Sequence, residues 1–393
     1  MLLKPVGSDQ ITASSRIYAL DRARTFTTLL VLLHHSVLNY TYFGQGDLMR
    51  WLGFDLVVLF NDSFFMAFMF FISGLFVRDS LARKGSATFL RDRAWRLGIP
   101  YLVSVFVLMP VAYYPTFLRY DLTGTDFSFP HFWWRTLTVG PWPSGPAWFL
   151  WVLLALDAVA AAVWLMAPKA IPTLGQLIFS LRDRPIRAFM LFLIFSAASY
   201  LPMHLAFGDQ SWLEPDQFPL PIQTSRILLY GGYFFVGVGI GAINLRVGLL
   251  AERGELSKRW PIWFGFALLF YAALLVLVYA HHNWVADFNL PPLGWKAGYG
   301  LAFALFSAAM AFTVSGMFLH FAESSSRLLD TIRPSAYGIY LLHYIFIVWL
   351  QYAVYDYSVP AGVKFAIVFA GTFSMSWALT VMLRKIPVVA RMI

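Results

Sequence analysis

The chain has 393 residues, 59% of them hydrophobic and only 12% charged, about half the charged share of a soluble domain. Its apolar residues gather in runs of roughly 18 or more, the length that crosses a bilayer as helix, which excludes a set of soluble domains. There is no cysteine, so disulfides, thiol nucleophiles and thiolate metal sites are excluded, and the net charge of +9 follows topology rather than marking a nucleic-acid surface.

Residues 1–19 lack a short apolar core followed by a small-residue cleavage site, so no signal peptide is expected there. They read as a cytoplasmic N-terminal segment, followed by one transmembrane domain over 20–383 and a cytoplasmic tail over 384–393. Ten spans are expected, near 25–43, 53–77, 97–117, 147–167, 187–206, 225–245, 260–281, 296–320, 336–354 and 361–383. The fifth is weak, because the polar, Pro-rich stretch from His204 to Gln223 breaks it. With the N-terminus inside, all but six of the 29 Lys and Arg residues fall in inner segments; the six are Arg50, Arg119, Arg135, Arg226, Lys296 and Lys364. That bias predicts an all-α, polytopic helix bundle of about ten transmembrane helices with both termini cytoplasmic.

The first stretch with chemistry in it is Leu20 to Asn39, LDRARTFTTLLVLLHHSVLN. Eleven helical steps separate Arg24 from His35, three turns plus about 20°, so the two share one face roughly 16 Å apart along the axis. His34 points about 100° away. A cation at the membrane edge and an imidazole at depth, in one line, mark a functional site; helix–helix hydrogen bonding is the plainer alternative. In Asn61 to Leu75, Asp62 and Ser73 are again eleven apart on one face, and Ser73-Gly74 lets another helix approach closely. Asp62 reads either as an interfacial helix-end residue or as a catalytic carboxylate.

In Phe89 to Pro100, FLRDRAWRLGIP, Arg93 and Arg96 form one cationic face. Paired guanidiniums suit phosphate, and they also satisfy positive-inside topology. The outer connections Tyr113–Pro146, Phe207–Gln223 and His282–Trp295 are rich in aromatics, as an interfacial belt or as stacking surfaces for sugar rings. Two further stretches are Gly145 to Trp151, GPAWFLW, and Ser335 to His343, SAYGIYLLH; the latter places a second histidine, His343, inside a span with Ser335 and Tyr340 near it.

In this order the stretches resemble the acyltransferase-3 family of integral membrane O-acyltransferases. The family's Arg, ten residues, His pattern matches Arg24 and His35, after Leu20 and Asp21. FFxxSG matches Phe70, Phe71, Ile72, Ser73 and Gly74; RxxRLxxP matches Arg93, Arg96, Leu97 and Pro100. WFL matches Trp148, Phe149 and Leu150, and SxYxIYLLH matches Ser335 to His343. The resemblance runs from about residue 16 to the end. The WFL form, the length and the lack of an appended hydrolase-like domain are most similar to members that succinylate periplasmic glucans. Two departures stand: Phe65, Met66 and Ala67 occupy the place of an Arg-Met-Pro run, and the nearest acid to a glutamate common near the fourth helix is Asp157.

The resemblance implies transfer of a succinyl or acetyl group from cytosolic acyl-CoA to a hydroxyl of an extracytoplasmic glycan, in the inner membrane of a bacterium. It implies His35 as general base, Asp62 to orient it if the helices adjoin, and Ser73 or His35 itself as carrier if the acyl group is relayed. Arg24, Arg93 and Arg96 are the expected phosphate ligands, and Trp148, Tyr340 and His343 the expected substrate contacts. Acyl-CoA is a donor substrate; no tightly bound cofactor and no metal is expected, since His281-His282 stands apart from any HxxxH or HExxH spacing. The expected partners are acyl-CoA, a carbohydrate acceptor and the lipid bilayer, with a homodimer left open. The competing classes are a proton-coupled secondary transporter, for which inverted repeats and paired broken helices are not evident, and a haem or quinone protein using His34 or His35 with His343 as ligands.

Overall fold

In lipid every backbone polar group must be satisfied within the protein, so apolar runs of this length fold as helices. A computed structural model of the chain describes residues 18–44, 46–120, 128–139, 144–209, 211–213, 220–284, 291–321 and 327–393. Over these residues it is a helix bundle whose only β-type pairing is an isolated bridge between Trp212 and Gln223. Most of the expected N-terminal segment and parts of the three aromatic connections lie outside the described residues.

The helices are α1 (Tyr18–Leu38), α2 (Leu52–Lys84), α3 (Ser86–Arg119), α4 (Phe129–Thr138), α5 (Gly145–Met166) and α6 (Ala170–Phe179). They continue as α7 (Pro185–Phe207), α8 (Ile227–Gly241), α9 (Trp260–Trp284), α10 (Leu293–His320), α11 (Arg327–Val354) and α12 (Ala361–Leu383). Eight of them, α2, α3, α5, α7 and α9 to α12, are long and apolar enough to cross a membrane. The other two expected spans form as helices where expected. However, α1 opens with Asp21, Arg22 and Arg24, and α8 has only 15 residues. The fifth expected span is a regular helix of 23 residues despite Pro202.

Burial sorts the bundle. In α10, 78% of the apolar window is buried, against 17% in α9 and 22% in α12, so α10 is the central helix and the other two face outward. The α2–α8 crossing is a close one. A Cβ on Gly74 would strike the Phe234 carbonyl oxygen; one on Gly237 would strike that of Phe71, and one on Gly241 that of Leu75. Ser73-Gly74 is therefore a close-approach site, met by the small residues Gly237 and Gly241 four apart on α8.

The third span is broken twice by π-helical turns, Ala94–Gly98 and Ser104–Leu108, a feature common at functional sites. Its prolines explain where side chains dock on it. A proline cannot donate to the carbonyl four residues back. For Pro100 that carbonyl is Arg96, which accepts from the Tyr337 hydroxyl at 2.6 Å. For Pro110 it is Phe106, which accepts from Trp133 Nε1 at 2.8 Å. For Pro115 it is Val111, which accepts from Trp349 Nε1 at 3.0 Å. Three aromatic donors thus pin α3 to α11 and α4.

One end of the bundle gathers the start of α1, the Arg96 region and the start of α11. Arg22 forms a bidentate pair with Asp330 at 2.8 and 2.7 Å, and Arg384 donates to the Pro334 carbonyl at 2.7 Å. The opposite end is tied by Lys364, 1% exposed, which donates to both oxygens of Asp47 at 3.0 and 2.8 Å and to the Tyr355 carbonyl at 2.7 Å.

Candidate active site

The threonine and serine hydroxyls of α1 are consumed within the helix. Thr25, Thr27, Thr28 and Ser36 each donate to the carbonyl four residues back. His34 and His35 are left to face other helices. His35 is half-buried, and its Nδ1 lies 2.9 Å from the Val31 carbonyl. A carbonyl only accepts, so Nδ1 carries the hydrogen and Nε2 presents its lone pair. The same reasoning fixes His343, 1% exposed, whose Nδ1 lies 2.5 Å from the Tyr340 carbonyl. The two imidazoles are neighbours, with ring centroids 5.3 Å apart, and Tyr344 packs on His35 at 5.5 Å. Two rings with outward lone pairs, from α1 and α11, therefore meet at the centre of the site.

Asp62 is placed elsewhere. Its carboxylate accepts a bidentate pair from Arg226, Nη1 to Oδ1 at 3.0 Å and Nη2 to Oδ2 at 2.6 Å, and its carbonyl accepts from Nη1 at 3.1 Å. Arg226 is 2% exposed, reaches Asp209 at 3.4 Å and lies 4.7 Å over the Phe303 ring. The expected orientation of His35 by Asp62 is thus replaced by an ion pair, because a buried guanidinium claims both carboxylate oxygens. Asp62 and Arg226 are instead the charges within reach of His34, which packs on Phe65 at 5.1 Å. Ser73 is half-buried and its hydroxyl donates to the Met69 carbonyl at 2.8 Å, with no base on it.

Arg24 lies near Arg93 and Arg96, which with Asp21 are the charges that act on it. Arg24 and Arg96 are exposed, and neither has a carboxylate partner among the described residues. Arg93 does have one. Its Nε lies 3.2 Å from Asp157, whose side chain is fully buried. That gives Asp157 a place, holding Arg93 at the edge of the cationic group. Adjacent unpaired guanidiniums repel one another and are favoured when an anion lies between them.

Tyr340 is buried and its hydroxyl donates to the Pro146 carbonyl at 2.5 Å. The Gly145-Pro146 turn that supplies this acceptor has Gly145 at φ +46°, a conformation suited to glycine, and a Cβ there would strike Met109. Trp148 does not reach the histidines directly. It stacks on Tyr230 at 5.6 Å and meets Trp212 edge-on at 5.8 Å, beneath the connection after α7.

Beyond His35, toward the Asp47 end, an open cleft of about 100 Å³ is lined by Asn39, Thr116, Arg119, Gln351 and Tyr352 among others. The Gln351 amide joins it to the histidine, accepting from Asn39 Nδ2 at 2.8 Å and donating to the His35 carbonyl at 3.3 Å. Along α11 the residues Tyr337, Tyr340, Tyr344, Val348 and Gln351 fall three or four apart, on one stripe. On α1, Arg24 and His35 are eleven apart on one face, and Asn39 follows four residues past His35, just beyond the helix end. The two stripes run from the arginine group through the paired histidines to the cleft. Sequence reasoning missed Tyr337, Asn39, Gln351 and Arg226. Asn39, four residues past His35, and Tyr337, inside the Ser335 to His343 stretch, were within reach of local spacing; Gln351 carried no such signal, and Arg226 had only its isolation among outer cations.

A helix bundle with intramembrane histidines between a cationic end and a polar cleft belongs to the class of membrane enzymes or carriers of anionic substrates. The family model of an acyltransferase domain matches residues 17–381, so the chain belongs to the acyltransferase-3 family and is a membrane acyltransferase. No curated protein matches it.

Proposed function

We propose that the protein transfers a succinyl or acetyl group from cytosolic acyl-CoA to a hydroxyl of an extracytoplasmic glycan, with periplasmic glucan as the acceptor, as a glucan biosynthesis protein C-like enzyme of a bacterial inner membrane. The observation that carries this reading is His35 Nε2, with no hydrogen-bond partner among the described residues, standing between Arg24 and Arg96, which have no carboxylate partner among the described residues, and the polar cleft of Asn39 and Gln351.

The CoA phosphates meet Arg24, Arg93 and Arg96 through charge-assisted hydrogen bonds. The thioester reaches His35 roughly 16 Å further along α1, a distance suited to an extended pantetheine arm. The acceptor enters by the cleft. His35 Nε2 takes the hydroxyl proton as its oxygen attacks the thioester carbonyl. A C–O bond forms, the C–S bond breaks, and the proton passes from His35 to the departing sulfur, which leaves as the free thiol. No net proton is consumed. Direct transfer is favoured over a Ser73 relay, because the Ser73 hydroxyl is committed to the Met69 carbonyl and lacks an adjacent base.

The test uses proteoliposomes loaded with glucan, with radiolabelled acetyl-CoA or succinyl-CoA added to one side. Label on the enclosed glucan, in the population with the arginine end outward, is the expected result. Well-folded protein that neither transfers nor hydrolyses either donor overturns the reading and favours the transporter class.

A further inference from the structure

Of the three aromatic donors that reach carbonyls of α3, one serves an arginine. Trp133 and Trp349 reach the carbonyls of Phe106 and Val111; the Tyr337 hydroxyl reaches that of Arg96 at 2.6 Å. The same phenol has Arg24 and Arg96 as the charges acting on it. Its hydrogen is spent on a carbonyl, so its oxygen presents only lone pairs, which suits guanidiniums beside it. Tyr337 is half-buried, whereas Arg24 and Arg96 are exposed.

The backbone at Arg96 needs such a tie. Arg96 lies in the π-helical turn Ala94–Gly98, and Pro100 follows. The i→i+5 winding and the missing N–H take away part of the i→i−4 ladder that fixes side-chain directions on an α-helix. Arg93, just before that turn, is held through its side chain by Asp157 at 3.2 Å. Arg96 has no carboxylate partner among the described residues, and neither has Arg24. Two such cations repel when near and lose rotamer freedom when held. α11 takes hold of both helices that carry them. Asp330 pairs with Arg22 of α1 at 2.8 and 2.7 Å, and Tyr337 holds the Arg96 carbonyl of α3.

We infer that Tyr337 is the positioning residue of the phosphate site, fixing the Arg96 backbone so that Arg96 and Arg24 face one anion, the phosphate end of the acyl donor. The inference rests on the acyl-CoA reading and deepens it. Tyr337 acts through Arg96 and touches no reacting atom. Tyr340 and His343 follow it at three-residue steps on α11. The helix that sets the arginines therefore also carries the second ring of the histidine pair, and phosphate and thioester are placed from one element.

The experiment measures kcat and KM of purified protein for acetyl- and succinyl-CoA and for acetyl- and succinyl-pantetheine, which keep the thioester and lack every phosphate. Tyr337→Phe keeps the ring and removes one oxygen. It is expected to raise the KM for the CoA donor about three- to tenfold more than that for the pantetheine donor, the worth of one hydrogen bond, with the effect on KM and not on kcat. The ratio of the two KM values within one variant does not depend on how much protein is folded. Arg96→Ala keeps the carbonyl and removes the guanidinium. In that background Tyr337→Phe should no longer move the ratio, while it still lowers the melting temperature. A ratio unmoved by Tyr337→Phe, or a shift that persists in the Arg96→Ala background, overturns the positioning role; turnover of the CoA donor by wild type then leaves the acyl-CoA reading standing. Wild type that turns over neither kind of donor overturns both.

Discussion

Replacing Asp62 by Asn separates two roles that the sequence leaves open for it. The carboxylate holds Arg226 through two charge-assisted hydrogen bonds, and Arg226 is 2% exposed. Breaking a buried pair by removing one partner costs about 3–5 kcal/mol. The Asp62 and Asp209 side chains are 39% and 18% exposed and can take up water when Arg226 is lost, so Arg226→Met is expected at the lower end, about 3 kcal/mol. Asp62→Asn keeps one acceptor oxygen and leaves Arg226 its contact with Asp209, so about 1–2 kcal/mol is expected. The double variant should cost less than the sum by about 1–2 kcal/mol, as for groups in one network. The assay is reversible denaturant titration in detergent, paired with acyl transfer per folded molecule. Because the Asp62 oxygens face Arg226 and not His35, the kcat of Asp62→Asn should stay within about threefold of wild type. A hundredfold loss of kcat without loss of stability would refute the reasoning and return Asp62 to the chemistry.

Three other outcomes follow from the same geometry. Arg24→Ala should raise the KM for acyl-CoA about tenfold at low salt with melting unchanged, and the effect should shrink as ionic strength rises; a KM insensitive to both argues against phosphate contact. Gly237→Ala drives a Cβ into the Phe71 carbonyl oxygen across the α2–α8 crossing and should cost about 1–3 kcal/mol by overpacking, read as a lowered melting temperature. Trp349→Phe strips the Val111 carbonyl of its donor at Pro115 and should cost about 1–2 kcal/mol. In a Pro115→Ala background, where the helix supplies that donor, most of the hydrogen-bond loss should vanish; additivity within about 0.3 kcal/mol counts against the cap.

Much of the frame was legible in local spacing. Eleven helical steps put Arg24 and His35 on one stripe whatever the fold, and Ser73-Gly74 announced a close crossing that Gly237 and Gly241 complete. Partner choice across the bundle was not legible. Asp62 and Arg226 are 164 residues apart, and nothing near Asp62 indicates that a guanidinium and not His35 takes its oxygens. Asp157 likewise gains meaning only from Arg93 on a neighbouring helix. The two π-helical turns of α3 are one-residue changes in winding that apolar periodicity does not record. The caps at Pro100, Pro110 and Pro115 are visible as prolines, but their aromatic donors come from distant segments.

The central claim is that His35 Nε2 removes the proton of the acceptor hydroxyl. The most direct measurement is single-turnover transfer of radiolabelled acetyl to glucan by His35→Ala, alongside wild type, with CoA-donor binding and gel-filtration profile recorded for both. The account predicts unchanged folding and donor binding with transfer slowed about 10²- to 10⁴-fold, the range of a positioned general base. Transfer by His35→Ala at the wild-type rate, in protein shown to be folded, would contradict it.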